Sequence, residues 1–180
     1  MPMKGLKIFL ICIVLGGVFV YNTNWFQSFF LYNRFLESIA DVPFDVTKKG
    51  ETISIPLKHK FNTCYELNVA VPDKNIFHDN IVGPGALRYR FVSGGKILAK
   101  GFTFPAVRQH LTLYRGVTLI TILVFDLPTP GAGNDVSLEL TVDTPMAFLN
   151  KYAGKIKCNI RPNYSAKAGG CYNEELRIEY

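Results

Sequence analysis

Charge of one sign is never concentrated in this 180-residue chain: the densest basic clusters are Lys48-Lys49 and Lys58-His59-Lys60, and no basic run reaches five residues. Nucleic-acid binding asks for a stronger basic stripe, so no nucleic-acid partner is expected. The three histidines, His59, His78 and His110, fall at no H-x-x-x-H or H-E-x-x-H spacing, and the four cysteines form no C-x-x-C. Tight zinc sites need three or four convergent ligands. His78-Asp79 would hold a metal only with ligands from elsewhere, so neither metal nor cofactor is expected. G-x-S-x-G and P-loop signatures are also missing, which removes the strained nucleophile turn and the glycine-rich phosphate cradle. Gly83-Pro84-Gly85 and Gly131-Ala132-Gly133 read as turn punctuation.

The longest apolar run, Ile8 to Tyr21, would reach only about 21 Å as a helix, short of a ~30 Å hydrocarbon core. What surrounds it suggests a membrane function all the same. Lys4 and Lys7 precede it, the pattern of a segment whose N-terminus stays in the cytoplasm. Tyr21-Asn22-Thr23-Asn24-Trp25-Phe26 follows and offers no small-residue cleavage site. Cys12 follows Ile11 and lacks the small residue that lipidation requires. An uncleaved anchor is therefore preferred to a cleaved signal or a lipoprotein. Trp25, Phe26, Phe29 and Phe30 suit the headgroup region, where amphipathic rings settle, and Lys4 and Lys7 suit the opposite interface. The expected organisation is a signal anchor over 1–24, an amphipathic juxtamembrane segment over 25–41 whose helix runs to about Ser38, and an extracytoplasmic domain over 42–180. That corresponds to a single-pass protein of a bacterial inner membrane with its C-terminal domain in the periplasm, and membrane lipids are its first expected partner.

Three of twenty basic residues (Lys4, Lys7, Arg34) and two of fourteen acidic ones (Glu37, Asp41) precede Val42, which leaves +5 of the formal +6 on the domain. Such mild basicity suits an anionic surface or an acidic protein, and equally an ordinary solvated surface. With Cys12 in the anchor, Cys64, Cys158 and Cys171 remain in an oxidising compartment. The short loop between Cys158 and Cys171 makes them the least costly pair to close, a bridge worth roughly 2–4 kcal/mol. Cys64 is then either a buried inert thiol or the displacer of one member of that pair.

From Glu51 onward the pattern repeats every second residue. Ile53, Ile55 and Leu57 alternate with Thr52, Ser54 and Pro56, and Pro56 suggests a sheet edge. Tyr65, Leu67, Val69 and Val71 alternate with Glu66 and Asn68. Leu87, Tyr89 and Phe91 alternate with Arg88 and Arg90 before Ser93-Gly94-Gly95 turns the chain into Ile97–Phe102, a clear hairpin. His110 to Tyr114 is a short strand turned by Arg115-Gly116. Val117 to Leu127 is apolar on both faces, the mark of a central strand or one that meets a partner. Val136–Val142 alternates again, Pro145–Tyr152 suits one or two helical turns, and Lys155–Arg161 and Glu174–Glu179 close the domain as strands. The loops Pro72–Pro84 and Pro128–Asn134 are long enough to carry function. The fold class is mainly β, an antiparallel β-sandwich of about seven to nine strands after one N-terminal helix.

Pro43, Phe44, Asp45 and Gly50 open the domain, Tyr65 and Leu67 mark its aromatic-bearing strand, and Pro145 follows the penultimate strand. In these residues the chain resembles a poorly characterised family of bacterial membrane-anchored or lipoprotein envelope proteins, over most of residues 42–161. The resemblance implies an anchor, a β-sandwich and association with secretion-system effector–immunity pairs.

The function expected is that of a non-enzymatic, membrane-anchored periplasmic binding protein, at its most specific an immunity protein that neutralises a secreted effector. Arg88, Arg90, Arg108, His78 and Asp79 are the candidate partner-binding residues. A structural subunit of an envelope or secretion assembly, pairing strands through Val117–Leu127, is the alternative. A thiol-dependent hydrolase using Cys64 and a histidine is the third reading. It is weakened because Cys64 starts a strand, where nothing lowers its pKa.

Overall fold

The computed structural model describes residues 3–59, 61, 63–106, 111–127, 135–163, 166 and 178, except the side chains of Met3, Lys4 and Asn24. Three helices come first: α1 (Met3–Tyr21), α2 (Asn24–Phe30) and α3 (Tyr32–Phe35). The expected single helix to Ser38 is broken. Asn22 Nδ2 donates to the Val18 carbonyl and Thr23 Oγ1 to that of Val20, both at 2.7 Å, so side chains satisfy the carbonyls that close α1. Thr23 then caps α2 by accepting from the Phe26 N–H at 3.2 Å.

Every described side chain of α1 from Gly5 to Tyr21 is exposed. Even so, among the described residues no helix is long and apolar enough to cross a membrane. Trp25, Phe29 and Phe30 on α2 are exposed as well, with Trp25 against Phe29 at 5.8 Å and Phe26 stacked on Phe30 at 4.8 Å. The chain meets the domain at α3, where Phe35 and Leu36 are buried against Phe61 and Ala166.

Nine strands follow among the described residues: β1 (Ala40–Pro43), β2 (Thr52–Pro56), β3 (Cys64–Val71), β4 (Ala86–Ser93), β5 (Lys96–Phe102), β6 (Leu111–Tyr114), β7 (Val117–Asp126), β8 (Val136–Thr144) and β9 (Lys157–Pro162). They form two antiparallel sheets, one ordered β1-β9-β3-β7-β6 and the other β2-β8-β4-β5. The two face each other across one core, in which Phe91 of β4 meets Phe125 of β7 at 4.9 Å and Tyr65, Leu67, Ile120 and Leu138 are fully covered. Aromatic contacts of this kind add about 0.5–1.5 kcal/mol beyond area burial.

The turns follow their sequences. Gly94 and Gly95 both take positive φ between β4 and β5, the geometry of a two-residue hairpin turn that matches strand twist. Arg115 (φ 50°) and Gly116 (φ 81°) do the same between β6 and β7. Pro56 lies on β2, an edge strand, where its missing N–H costs no ladder bond. A 3-10 helix over Ala147–Tyr152 occupies the expected helical stretch.

The alternation expected of β3 is corrected, and two other expectations gain detail. β7 is covered on both faces; β3 pairs along its length on one edge, while on the other β6 pairs with Val117–Ile120 and the Phe104 N–H donates to the Ile122 carbonyl at 3.0 Å. β3 is buried along its whole length, Glu66 and Asn68 included. The Pro72–Pro84 connection is largely tied down. Its short helix α4 (Asn75–His78) buries Ile76, while Thr118 Oγ1 donates to the Asp73 carbonyl at 2.7 Å and the Tyr152 hydroxyl donates to the Asp73 carboxylate. The Pro128–Asn134 loop lies outside the described residues, as does the expected Glu174–Glu179 strand apart from a buried Ile178.

Candidate functional site

The pairing Cys158–Cys171 is overturned. Cys158 is a free thiol, fully covered in the core, and Cys64 is disulfide-bonded; Cys171 lies outside the described residues. Cys158 faces inward because β9 directs Cys158 and Ile160 to the core and Lys157, Asn159 and Arg161 to the opposite face. Burial pushes its thiol up to about 12, so it carries no thiolate near neutral pH. Cys64, bound in a disulfide, has none to give either.

The partner-binding candidates do not converge. Arg88 and Arg90 lie on the outer face of the four-stranded sheet, but each is engaged across the ladder: Arg88 with Asp143 at 2.8 Å, and Arg90 Nε with Glu139 at 2.8 Å. They are exposed pairs of the kind that contributes about 0–1 kcal/mol. His78 and Asp79 stand exposed at the end of α4, where His78 packs edge-on to Phe77. Arg108 lies outside the described residues. Ser93 and Lys96 have S-x-x-K spacing, but they flank the β4–β5 hairpin turn rather than sharing a helix face. Among the described residues, no three His, Cys, Asp or Glu groups cluster so as to hold a metal.

Of the membrane-interface candidates, Lys7, Trp25, Phe29 and Phe30 are exposed and Phe26 is half-buried. The Lys4 side chain is not among those described.

The concave feature missed in sequence lies on the outer face of the five-stranded sheet. Antiparallel register places Glu66 opposite Arg161, Asn68 opposite Asn159 and Ala70 opposite Lys157, so these six share that face. One end is closed by a buried polar network. Glu66 Oε1 accepts from Arg161 Nε at 2.7 Å and from Asn68 Nδ2 at 3.2 Å, and its Oε2 accepts from Asn163 at 2.9 Å. Thr121 Oγ1 donates to Asn68 Oδ1 at 2.7 Å, and the Arg161 guanidinium lies 5.2 Å from the centre of the Tyr114 ring.

The other end opens into a pocket of about 770 Å³, within the usual range for small-molecule sites. Ala70 and Asn159 form its floor. Arg34 of α3, Arg115 of the β6–β7 turn, Lys155 and Lys157 surround it, and Glu37 and Asp41 are its two acids. Lys157 pairs with Asp41 at 2.9 Å. Among the described residues, Arg115 and Lys155 have no carboxylate partner. Asn159 Nδ2 donates to Ser38 Oγ at 2.8 Å, while its Oδ1, sealed from solvent, has no hydrogen-bond partner among the described residues. Arg34 reaches back to the Tyr21 hydroxyl, 3.4 Å away at the end of α1.

Elsewhere, Asp73 is held below its ordinary carboxylate value, chiefly by the Tyr152 hydroxyl and then by the Asn75 N–H. For Asp45, burial pushes upward, but donation from the Thr47 hydroxyl and N–H outweighs it and the net shift is downward.

No protein-family model, curated protein or solved structure matches the chain. The resemblance carried by Pro43, Phe44, Asp45, Gly50, Tyr65, Leu67 and Pro145 therefore stands on those residues alone.

Proposed function

We propose that this chain is a membrane-tethered, extracytoplasmic binding protein without catalytic activity, held at the bilayer by α1 and its aromatic collar. The observation that carries this reading is α1 itself: from Leu6 to Tyr21 it presents large apolar side chains on every side, none of them covered by the domain. An all-round apolar helix left in water is unfavourable by about 25 cal/mol per Å² of exposed apolar surface. At 1.5 Å per residue it is about 28 Å long. Lysine snorkelling at one end and Trp25, Phe29 and Phe30 at the other extend its match to the bilayer.

The disulfide at Cys64 supports an oxidising compartment. Lys4 and Lys7 support a cytoplasmic N-terminus. Tethering raises the local concentration of a binding surface at the membrane, which suits the immunity role implied by the family resemblance.

C-terminal alkaline phosphatase and fluorescent-protein fusions test the orientation. An active phosphatase with a dark fluorophore is expected, and the reverse pair refutes the proposal.

An assembly subunit is the second reading, favoured by the outer edge of β5, which pairs with no further strand among the described residues and where Ile97 and Phe102 are exposed. Sedimentation of the detergent-solubilised chain separates the two. Monomers favour the binding protein, and oligomers lost on Ile97→Lys favour the subunit.

A further inference from the structure

The pocket between α3, the β6–β7 turn and β9 has two properties that together specify a ligand. It is cationic: four basic groups face two carboxylates, one carboxylate is already matched by Lys157, and Arg115 and Lys155 are unmatched. It also adjoins the end of the exposed apolar helix, since Arg34 on its wall contacts Tyr21.

Arg115 adds a further sign. It holds positive φ at a turn position where Gly or Asn is preferred, and its guanidinium lies 5.1 Å from the centre of the Tyr114 ring in the pocket wall.

Resting on the reading that α1 lies in a bilayer, we infer that this pocket binds the glycerophosphate headgroup of an anionic phospholipid. The phosphate faces Arg115, Lys155 and Arg34 on the pocket wall. Soluble glycerol phosphate shares this chemistry. A lipid is favoured because the pocket and the apolar helix meet at Arg34 and Tyr21, which places the site where α1 leaves the hydrocarbon. Headgroup capture would also hold the five-stranded sheet against the membrane and turn the outer face of β4, β5 and β8 toward solvent.

The test uses the full chain in nanodiscs of phosphatidylcholine doped with phosphatidylglycerol, the bromine label being placed on one lipid or the other. Trp25 is the only tryptophan and is exposed on α2, so its quenching reports which lipid lies beside the collar. Phosphatidylglycerol is expected to quench more per molecule than phosphatidylcholine. Arg115→Gln with Lys155→Gln should cut that preference roughly tenfold or more, at about 1 kcal/mol per removed cation. Lys96→Gln with Lys100→Gln on β5, which removes the same charge elsewhere, should leave it unchanged.

Equal quenching by the two lipids overturns the inference, as does equal loss in both double variants. So does calorimetric binding of soluble glycerol phosphate without any lipid preference. If neither lipid quenches Trp25, α1 is not in the bilayer, and the tethering proposal falls with the inference. Quenching without preference removes the inference alone.

Discussion

Removal of Arg161 is the most severe single perturbation that the outer face of the five-stranded sheet offers. Its side chain and that of Glu66 are 3% and 5% exposed, and the pair is bonded at 2.7 Å. Arg161→Met keeps most of the side-chain volume and deletes the charge. Glu66 then retains Asn68 and Asn163 as donors but has no buried cation. Breaking a buried pair from one side costs about 3–5 kcal/mol, and losing the contact with Tyr114 adds about 0.5–2 kcal/mol. Replacing both partners, Glu66→Leu with Arg161→Met, should return the protein to within about 1 kcal/mol of the parent, because desolvation of two charges disappears with their attraction. Urea unfolding in detergent, followed by far-ultraviolet circular dichroism, reads the difference. At a slope of about 2 kcal/mol per molar, the single variant should lose about 2–3.5 M in midpoint. If Arg161→Met costs less than about 1 kcal/mol, the value typical of exposed pairs, the claim that this network is sealed from water is wrong. A double variant as unstable as the sum of the singles would equally refute it.

Alkaline stability should depend on Cys158. Its thiol is raised by burial from 9.0 to about 12, so its contribution is complete below pH 9.0 and is lost as pH rises toward 12. The change is of order 4 kcal/mol, and Cys158→Val should flatten that limb of a midpoint-against-pH curve. On the acid side, Asp73 and Asp45 are depressed below 3.8, so their contributions hold above that value and fade as pH falls through the lower folded values. Tyr152→Phe should reduce the acid-side loss attributable to Asp73 in the same titration. Arg115→Gly should relieve the positive φ and raise stability by up to about 1 kcal/mol, while weakening anionic-lipid preference in the nanodisc assay. Gly101→Ala should destabilise by 1 kcal/mol or more on thermal unfolding, because a Cβ there would lie 2.7 Å from the Tyr89 hydroxyl.

The sheets were legible because strand period and turn chemistry are local. Ile53, Ile55 and Leu57, and likewise Leu87, Tyr89 and Phe91, alternate apolar with polar, and Gly94-Gly95 and Arg115-Gly116 supply the turns that join their hairpins. Pro56 gave its edge position away by chemistry alone, since a central strand has no use for a residue without an N–H. Length discriminated as well: nothing after Ser38 carries a helical period long enough to compete with strands. The helical break at Asn22-Thr23 was harder to see, because it depends on side chains competing for carbonyls over a single turn.

Alternation says which residues share a face, but not whether that face is wet. Glu66 and Asn68 read as solvent-facing on β3, yet both are buried, because Arg161 arrives from β9, 95 residues later in sequence, and Thr121 from β7. The cysteines misled for the related reason that loop-closure cost favours near neighbours, while strand phase decides which thiols can meet. Cys158 shares its phase with Ile160 and points into the core. Cys64 shares its phase with Glu66 and Asn68, on the opposite face of the sheet. The pocket is the same case at larger scale. Arg34, Arg115, Lys155 and Asn159 carry no motif, and only the order β1-β9-β3-β7-β6 gathers them on one surface. The Arg115 backbone at positive φ and the surplus of basic over acidic groups both fall on that one surface.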